Sequence, residues 1–255
     1  MIMKPEKVIT HGGIFHADEV FAIALIHEVY GNDIPVERTR TISAEDFGNP
    51  NVWIVDVGGQ FDTTLNNLDH HHDAELDAAC MLVLAQLFAR GVITSNHFEE
   101  LKTAFKAISH IDRNGHAESN GFQVNSLINS FNALPNGWEI ALNTAQCYIK
   151  AAFDSVKKGE ESLRIWDAGQ RIGDHGIYCY EFPIHWKRYN EKRFLVYPKD
   201  GKYNVLSIDS EKHPLVSTGK EEFLHKGKFI AVFASANDAI ECALLSEAPK
   251  LTGAN

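Results

Sequence analysis

The first ninety residues alternate short β-branched runs with longer apolar ones, and few folds accept that order. KVIT (7–10) reads as a buried strand, followed by the turn THGGIFHADE. VFAIALIHEVYG then reads as a helix closed by Gly31. VERTR and VWIVDV read as two more strands, with β-branched and aromatic residues between polar flanks. After a histidine-rich loop, LDAACMLVLAQLFARG reads as a second apolar helix, again with glycine at its end. Further helices are expected around Phe98–Ile111 and Trp138–Val156. Strands separated by helices pair in parallel, so the expected class is α/β, a parallel sheet with helices on both faces.

Near SVKKGEES the texture changes. GIYCYEF, the hairpin KRFLVYPKDGKYNVLSID turning at Lys199-Asp200-Gly201, and FIAVFAS read as strands, and ANDAIECALLSEA as a terminal helix. A boundary is expected near residue 160. It would separate a metal-binding catalytic domain over 1–160 from a smaller α+β substrate-binding domain over 161–255. At 255 residues the chain is long enough for either one large or two smaller cores.

The net charge of −10 repels a nucleic-acid duplex at long range, so an anionic substrate needs a local cation to hold it. Cys80, Cys147, Cys179 and Cys242 are widely spaced, which argues against a disulfide scaffold or a cysteine-built zinc knuckle. Each is expected to be small, buried and reduced. The N-terminus has no apolar stretch of signal length, and VFAIALI is too short to span a bilayer. A cytoplasmic protein without membrane contact is therefore expected, with homo-oligomerisation left open.

Four stretches gather metal-ligating side chains: His11, His16 and Asp18 in THGGIFHADE, Asp56 in WIVDVGG, Asp69 to His72 in LDHHHDAE, and His110, Asp112 and His116 in HIDRNGHAE. The first three lie at or just beyond the carboxyl ends of expected strands, where open α/β sheets bind ligands. Asp56 ends an apolar run, and a buried carboxylate needs a partner or a metal; the alternative is a turn or helix-capping aspartate. Imidazoles mixed with carboxylates suit manganese, zinc, iron or cobalt better than magnesium or calcium. If Asp56 bridges two such ions, they would sit roughly 3.5–4 Å apart and could activate a water for in-line attack on phosphorus.

THGGIFHADE, VDVGG and DHHH, in this order, resemble the DHH phosphoesterase superfamily, and most of all its melanocyte-proliferating-gene (Myg) exonuclease family. The likeness is firm over residues 6–75, with later echoes in IDRNG, FPIHWKRY, LVYPKDGKYNVLSI and FIAVFAS. It implies a two-domain metallohydrolase with two divalent ions, Mn2+ in type, and 3′–5′ exonuclease activity on RNA. Carried over by motif, His11, His16, Asp18, Asp56, His70 and Asp112 are implied metal ligands, and His71 the catalytic contact to phosphate. His72 stands where the family often has glutamine and is not assigned.

The sequence departs from that pattern at two places. Arg113 interrupts an Asp-Asn-Gly motif, and Phe233 replaces a histidine in FASANDAIE, which also lacks paired glycines. The chain also looks shorter than typical relatives, which points to trimmed loops or a pared-down second domain. HWKRYNEKR interleaves cations with Trp186 and Tyr189, so Lys187 and Arg188 are candidate substrate contacts for single-stranded RNA or DNA; a solvated amphipathic segment is the alternative. His27, His97, His175, His213 and His225 are read as structural, and His110 or His116 as an outer partner of a metal ligand. Three functions stay open: a phosphodiesterase on short single-stranded nucleic acid, a hydrolase of pyrophosphate or a small nucleotide, and a non-catalytic module that binds nucleotide through the metal site.

Overall fold

The structure, a computed structural model, describes residues 4–115, 123–189 and 192–247. The chain divides into two compact units, Met1–Val156 and Lys157–Asn255. It is a mixed α/β protein, and among the described residues no helix is long and apolar enough to cross a membrane.

The first unit runs β1 (Lys7–Thr10), α1 (Ala17–Tyr30), β2 (Val36–Arg38), α2 (Ala44–Gly48), β3 (Val52–Val55), β4 (Phe61–Asp62) and β5 (Asn67–Leu68). Helices α3 (Ala79–Ala89), α4 (Ser95–Asn114), α5 (Val124–Ser130) and α6 (Gly137–Asp167) follow. The sheet order is β2-β1-β3-β5-β4. The first four strands in that order are parallel, with β4 an antiparallel edge. Helix α1 is buried on nearly every side from Ala17 to His27, as its apolar run requires. It lies against β3, α3, α4 and α5. Val8, Trp53, Val55 and Leu68 face this helical core, whereas Ile9, Val52 and Ile54 face the other way. Among the described residues, Ile42, Phe47 and Val57 pack on that second face. The connection from β2 to β3 carries only the five-residue α2, so the helical cover is lopsided.

His27 closes α1 as a neutral imidazole. Its Nε2 lies 3.1 Å from the Ile34 carbonyl and its Nδ1 accepts from the Gln146 amide at 3.1 Å. Burial holds its pKa below the usual histidine value. A histidine held low in the fold takes up a proton more readily when unfolded, so stability is lost as pH falls below about 6.5. Urea melts at pH 7.5 and 5.5 should show a larger acid loss in the wild type than in His27→Gln.

SVKKGEES, read from sequence as a change of texture, lies within the continuous helix α6. One glycine in a helix costs only about 1 kcal/mol, and Gly159 is flanked by good helix formers. Beyond α6 come β6 (Gln170–Ile172), β7 (Gly176–Tyr178), β8 (Phe194–Lys199), β9 (Lys202–Ser207), β10 (Phe223–Leu224), β11 (Ile230–Phe233) and α7 (Ala236–Glu247). Their sheet, in the order β10-β11-β9-β8-β7-β6, is antiparallel except between β7 and β8. The β8–β9 hairpin turns on Asp200-Gly201, both at positive φ (51° and 76°), with Lys199 paired to Lys202. Alternate residues of β8 serve two cores: Phe194 and Val196 pack with α7, and Leu195 and Tyr197 pack with Trp166 and Trp186. Phe233 is fully buried in the first of these cores. Cys80, Cys179 and Cys242 are buried, but Cys147 is exposed on α6, contrary to the sequence expectation.

Candidate metal centre

Four parallel strands bring their carboxyl ends to one edge of the sheet. The chain leaves β1 towards β2 on one side and reaches β3 on the other, so a topological switch point falls between β1 and β3. His11 is the first residue after β1, Asp56 the first after β3, and Asp69 and His70 the first two after β5. The sequence reading placed ligands at strand ends; the strand order makes those ends neighbours.

Asp56 adopts the left-handed conformation (φ 59°), which aspartate tolerates better than most residues, and is 3% exposed. Its Oδ2 lies 3.5 Å from His11 Nε2, and its Oδ1 lies 3.5 Å from His70 Nδ1 and 3.6 Å from His71 Nδ1. Gly59, also left-handed, folds the chain back so that its N–H donates to Asp69 Oδ2 at 2.5 Å. Asp69 Oδ1 then accepts from the His71 backbone N–H (3.1 Å) and lies 2.6 Å from His71 Nδ1. The His71 ring is thereby fixed against His70, with ring centroids 4.5 Å apart, while the side chain stays 61% exposed.

Glu19 is a member of the cluster that the sequence reading missed. It accepts the His16 backbone N–H at the start of α1 (2.9 and 3.0 Å) and lies 3.0 Å from His11 Nε2. The signal was present as a glutamate three residues after the helix-capping position.

Among the described residues three sets of ligand atoms result, each within 4.8 Å of one another: His11, His16, Glu19 and Asp56; Asp56, Asp69, His70 and His71; Asp18, His70 and Asp112. Ligands about 2.0–2.2 Å from one ion stand about 4 Å apart across it, so this spacing fits divalent cations. Asp56 belongs to two sets and His70 to two. His70 Nε2 lies 3.2 Å from Asp112 Oδ2. His70 Nδ1 and Asp56 Oδ1 are both buried, 3.5 Å apart, and neither has a hydrogen-bond partner; a proton or a cation between them would satisfy both.

The charges agree. Burial pushes Asp56 up to about 7; His11 opposes this, and the neighbouring Glu19 and Asp112 charges add to it. Contact with Asp56, then Glu19, raises His11 to about 10. Burial, then the charges of Asp56 and Asp112, hold Asp18 well above the usual carboxylate range. Burial works against a charged His70, but Asp112 and the other carboxylates outweigh it and its pKa rises. Carboxylates this crowded favour protons or cations to balance them.

Asp18 has a second task. It is fully buried, and its two oxygens accept the N–H groups of Ala79 and Cys80 at 2.8 Å each, capping α3. Arg113 accounts for the interrupted fourth motif. It donates to the Ala74 carbonyl and lies 3.4 Å from Asp77 Oδ1, while Ser109 Oγ donates to that same oxygen at 3.2 Å. Helix α4 thus clamps the histidine loop beside Asp112. Arg113→Ala should release this clamp and weaken divalent-metal binding several-fold, with little change in melting temperature; calorimetric titration and thermal melts read the two.

A cavity of about 250 Å³ opens beside the cluster, lined by His16, Asp56, His71 and Asp112 together with Asn125 and Asn129, one helical turn apart on α5. No sequence motif pointed to these asparagines. His72 and His110 are exposed and outside the ligand sets; His110 accepts from the Asn114 side chain. His116 lies outside the described residues. Lys187 and Arg188 sit on a 3-10 turn, Trp186–Arg188, in the second unit, where exposed Lys187 lines a cleft of about 640 Å³ with Phe182, Ile184, His185 and Phe229. The stacking role expected of Trp186 and Tyr189 is not supported. Trp186 is 3% exposed in the core, and Tyr189 packs on Trp166 (centroids 5.1 Å apart) and donates to the Gly159 carbonyl. These rings interrupt the basic segment because they anchor it.

Residues 7–79, which carry most of these ligands, match a known family model. That model is MYG1_exonuc, described as an uncharacterised protein family (UPF0160). The human MYG1 exonuclease is 37% identical over 71 residues, covering 28% of this chain and 18% of that protein. The chain thus matches under a fifth of the length of this relative. The MYG1 protein of Chlamydia trachomatis is 29% identical over 225 residues, covering 82% of this chain and 70% of that one. The crystal structure of RecJ in complex with Mg2+ from Thermus thermophilus overlaps with a TM-score of 0.29 and 11% identity, covering 94% of this chain and 49% of that chain.

Proposed function

We propose that this chain is a metal-dependent phosphodiesterase that removes nucleotides from an end of single-stranded RNA, 3′ to 5′, with two Mn2+ ions at the centre. One observation carries the reading: the three donor sets are chained through Asp56 and His70, the arrangement a pair of ions needs. Divalent ions there would polarise a phosphoryl oxygen and acidify a water. His11, His16, Glu19 and Asp56 would hold one ion; the other would lie by His70, which shares one set with Asp56 and another with Asp18 and Asp112.

His71 has a separate role. Asp69 occupies its Nδ1, which leaves Nε2 to hydrogen-bond a phosphoryl oxygen in the adjoining cavity. The small cavity admits the end of a strand and excludes a duplex. The exonuclease element rests on the likeness to proteins named MYG1 exonuclease, and RNA and polarity on the motif resemblance. The division into a catalytic part over 1–160 and a substrate-binding part over 161–255 belongs to the same proposal, with Lys187 and Arg188 as contacts of the second part.

The test is a timed digest of 5′-labelled RNA and DNA oligonucleotides with manganese and with EDTA, beside metal analysis of the purified protein. A one-nucleotide ladder that needs metal supports the reading. Phosphate release from pyrophosphate with intact oligonucleotides would transfer the site to small phosphoanhydrides. Tight metal-dependent nucleotide binding without turnover in manganese, cobalt or zinc would make it a binding module.

A further inference from the structure

Strand β2 ends at the same edge as the ligand-bearing strands. Arg38 is in register with Thr10, the residue before His11, and the Thr39 N–H donates to the Thr10 carbonyl at 2.8 Å. Arg38 and Arg40 therefore flank the loop that presents His11 and His16. Arg38 Nη2 donates to the Gly13 carbonyl at 2.8 Å, and Arg40 Nε reaches the Gly12 carbonyl at 3.4 Å. The Arg38 guanidinium rests 4.3 Å from the Trp138 ring centroid and 5.5 Å from that of Phe15, which fixes its plane.

What these arginines lack is a direct ion pair. Lys4, Lys7 and Arg113 each touch a carboxylate, whereas among the described residues Arg38 and Arg40 touch none, and Glu19 and Glu139 act on Arg38 only from farther away. Arg38 Nε is buried with no acceptor. A planar guanidinium matches the oxygens of a phosphate, and backbone carbonyls leave its charge unneutralised.

We propose that Arg38 and Arg40 form a phosphate subsite, which takes the phosphodiester next to the one cleaved. This rests on reading the metal centre as a phosphodiesterase. The cleaved phosphate enters the cavity lined by His16, Asp56, His71 and Asp112, and the arginines bond the Gly12 and Gly13 carbonyls of the loop that leads to His16. The subsite recognises nucleic-acid backbone without regard to base, and it adds positive charge beside the acidic cluster.

The experiment uses the full chain with manganese and RNA oligonucleotides of two to six nucleotides. In the wild type KM falls as length grows. Arg40→Gln should raise KM for the longer oligonucleotides by about tenfold, the size of one lost charged contact, with kcat nearly unchanged. The slope of log KM against log salt should fall by about 0.7, the value for one phosphate contact on a single strand, and Arg40→Lys should restore it. An unchanged salt slope overturns the subsite. So does a matching loss of manganese affinity by calorimetry, which would make Arg40 only a brace for the loop. If the wild type cleaves no oligonucleotide, the phosphodiesterase reading fails on its own, and the salt slope of oligonucleotide binding by fluorescence anisotropy still decides the role of Arg40.

Discussion

Asp56→Asn should lose hydrolysis by more than about a hundredfold, beyond the usual cost of removing an outer partner, while the protein stays folded. The loss follows from the place of Asp56 in two donor sets: an amide has one acceptor atom and no charge, so it cannot serve both. The fold survives for two reasons. Asparagine accepts the left-handed backbone that Asp56 adopts (φ 59°), and the substitution removes a carboxylate from a crowd that burial and neighbouring charge already oppose. In EDTA the variant should therefore melt close to the wild type, the relief of crowding offsetting the lost pairing with His11. Full activity under manganese would sink the metal assignment, and collapse of the fold would show that Asp56 has a structural partner.

Asp18→Asn, the same change a few ångströms away, should behave in the opposite way. Both Asp18 oxygens accept N–H groups at the start of α3, and an asparagine would turn its NH2 towards one of them. The cost is a lost hydrogen bond and an unsatisfied buried donor, together roughly 2–4 kcal/mol. A change of that size should lower the melting temperature by roughly 5–15 °C with or without metal, since about 1 kcal/mol moves a chain of this size by 2–4 °C. Manganese affinity should fall as well, because Asp18 shares a donor set with His70 and Asp112. Equal melting of the two asparagine variants in EDTA would remove the capping role from Asp18. The comparison separates a carboxylate that the metal needs from one that the fold also needs.

Much of this was legible in the sequence because it is local. A β-branched run such as Val52–Val55 reads as a strand wherever it is packed, and the polar residue that ends it reads as a strand-end residue. His16 and Asp18 are likewise set within the first turn of α1, with His11 a short loop upstream. Two-residue hairpin chemistry located the β8–β9 turn, since Asp-Gly suits the positive φ at both turn positions. The unbroken α6 at Gly159 was a matter of degree, since one glycine costs little among good helix formers; at Trp186 and Tyr189 longer contacts decided, because Trp186 is buried in the core and Tyr189 packs against it.

Residue type and spacing in this chain pick out most of the clustered groups and the strand ends at which His11, Asp56 and His70 stand. They do not settle which of those ends are neighbours. That depends on the order β2-β1-β3-β5, which joins residues far apart in the chain: His11 to Asp56, His70 to Asp112, Arg113 to the histidine loop and Asp18 to the start of α3. Ligand strength is a property of the side chain, but a shared carboxylate, a raised pKa and an unpaired guanidinium are properties of distance, and only the packed sheet sets those distances.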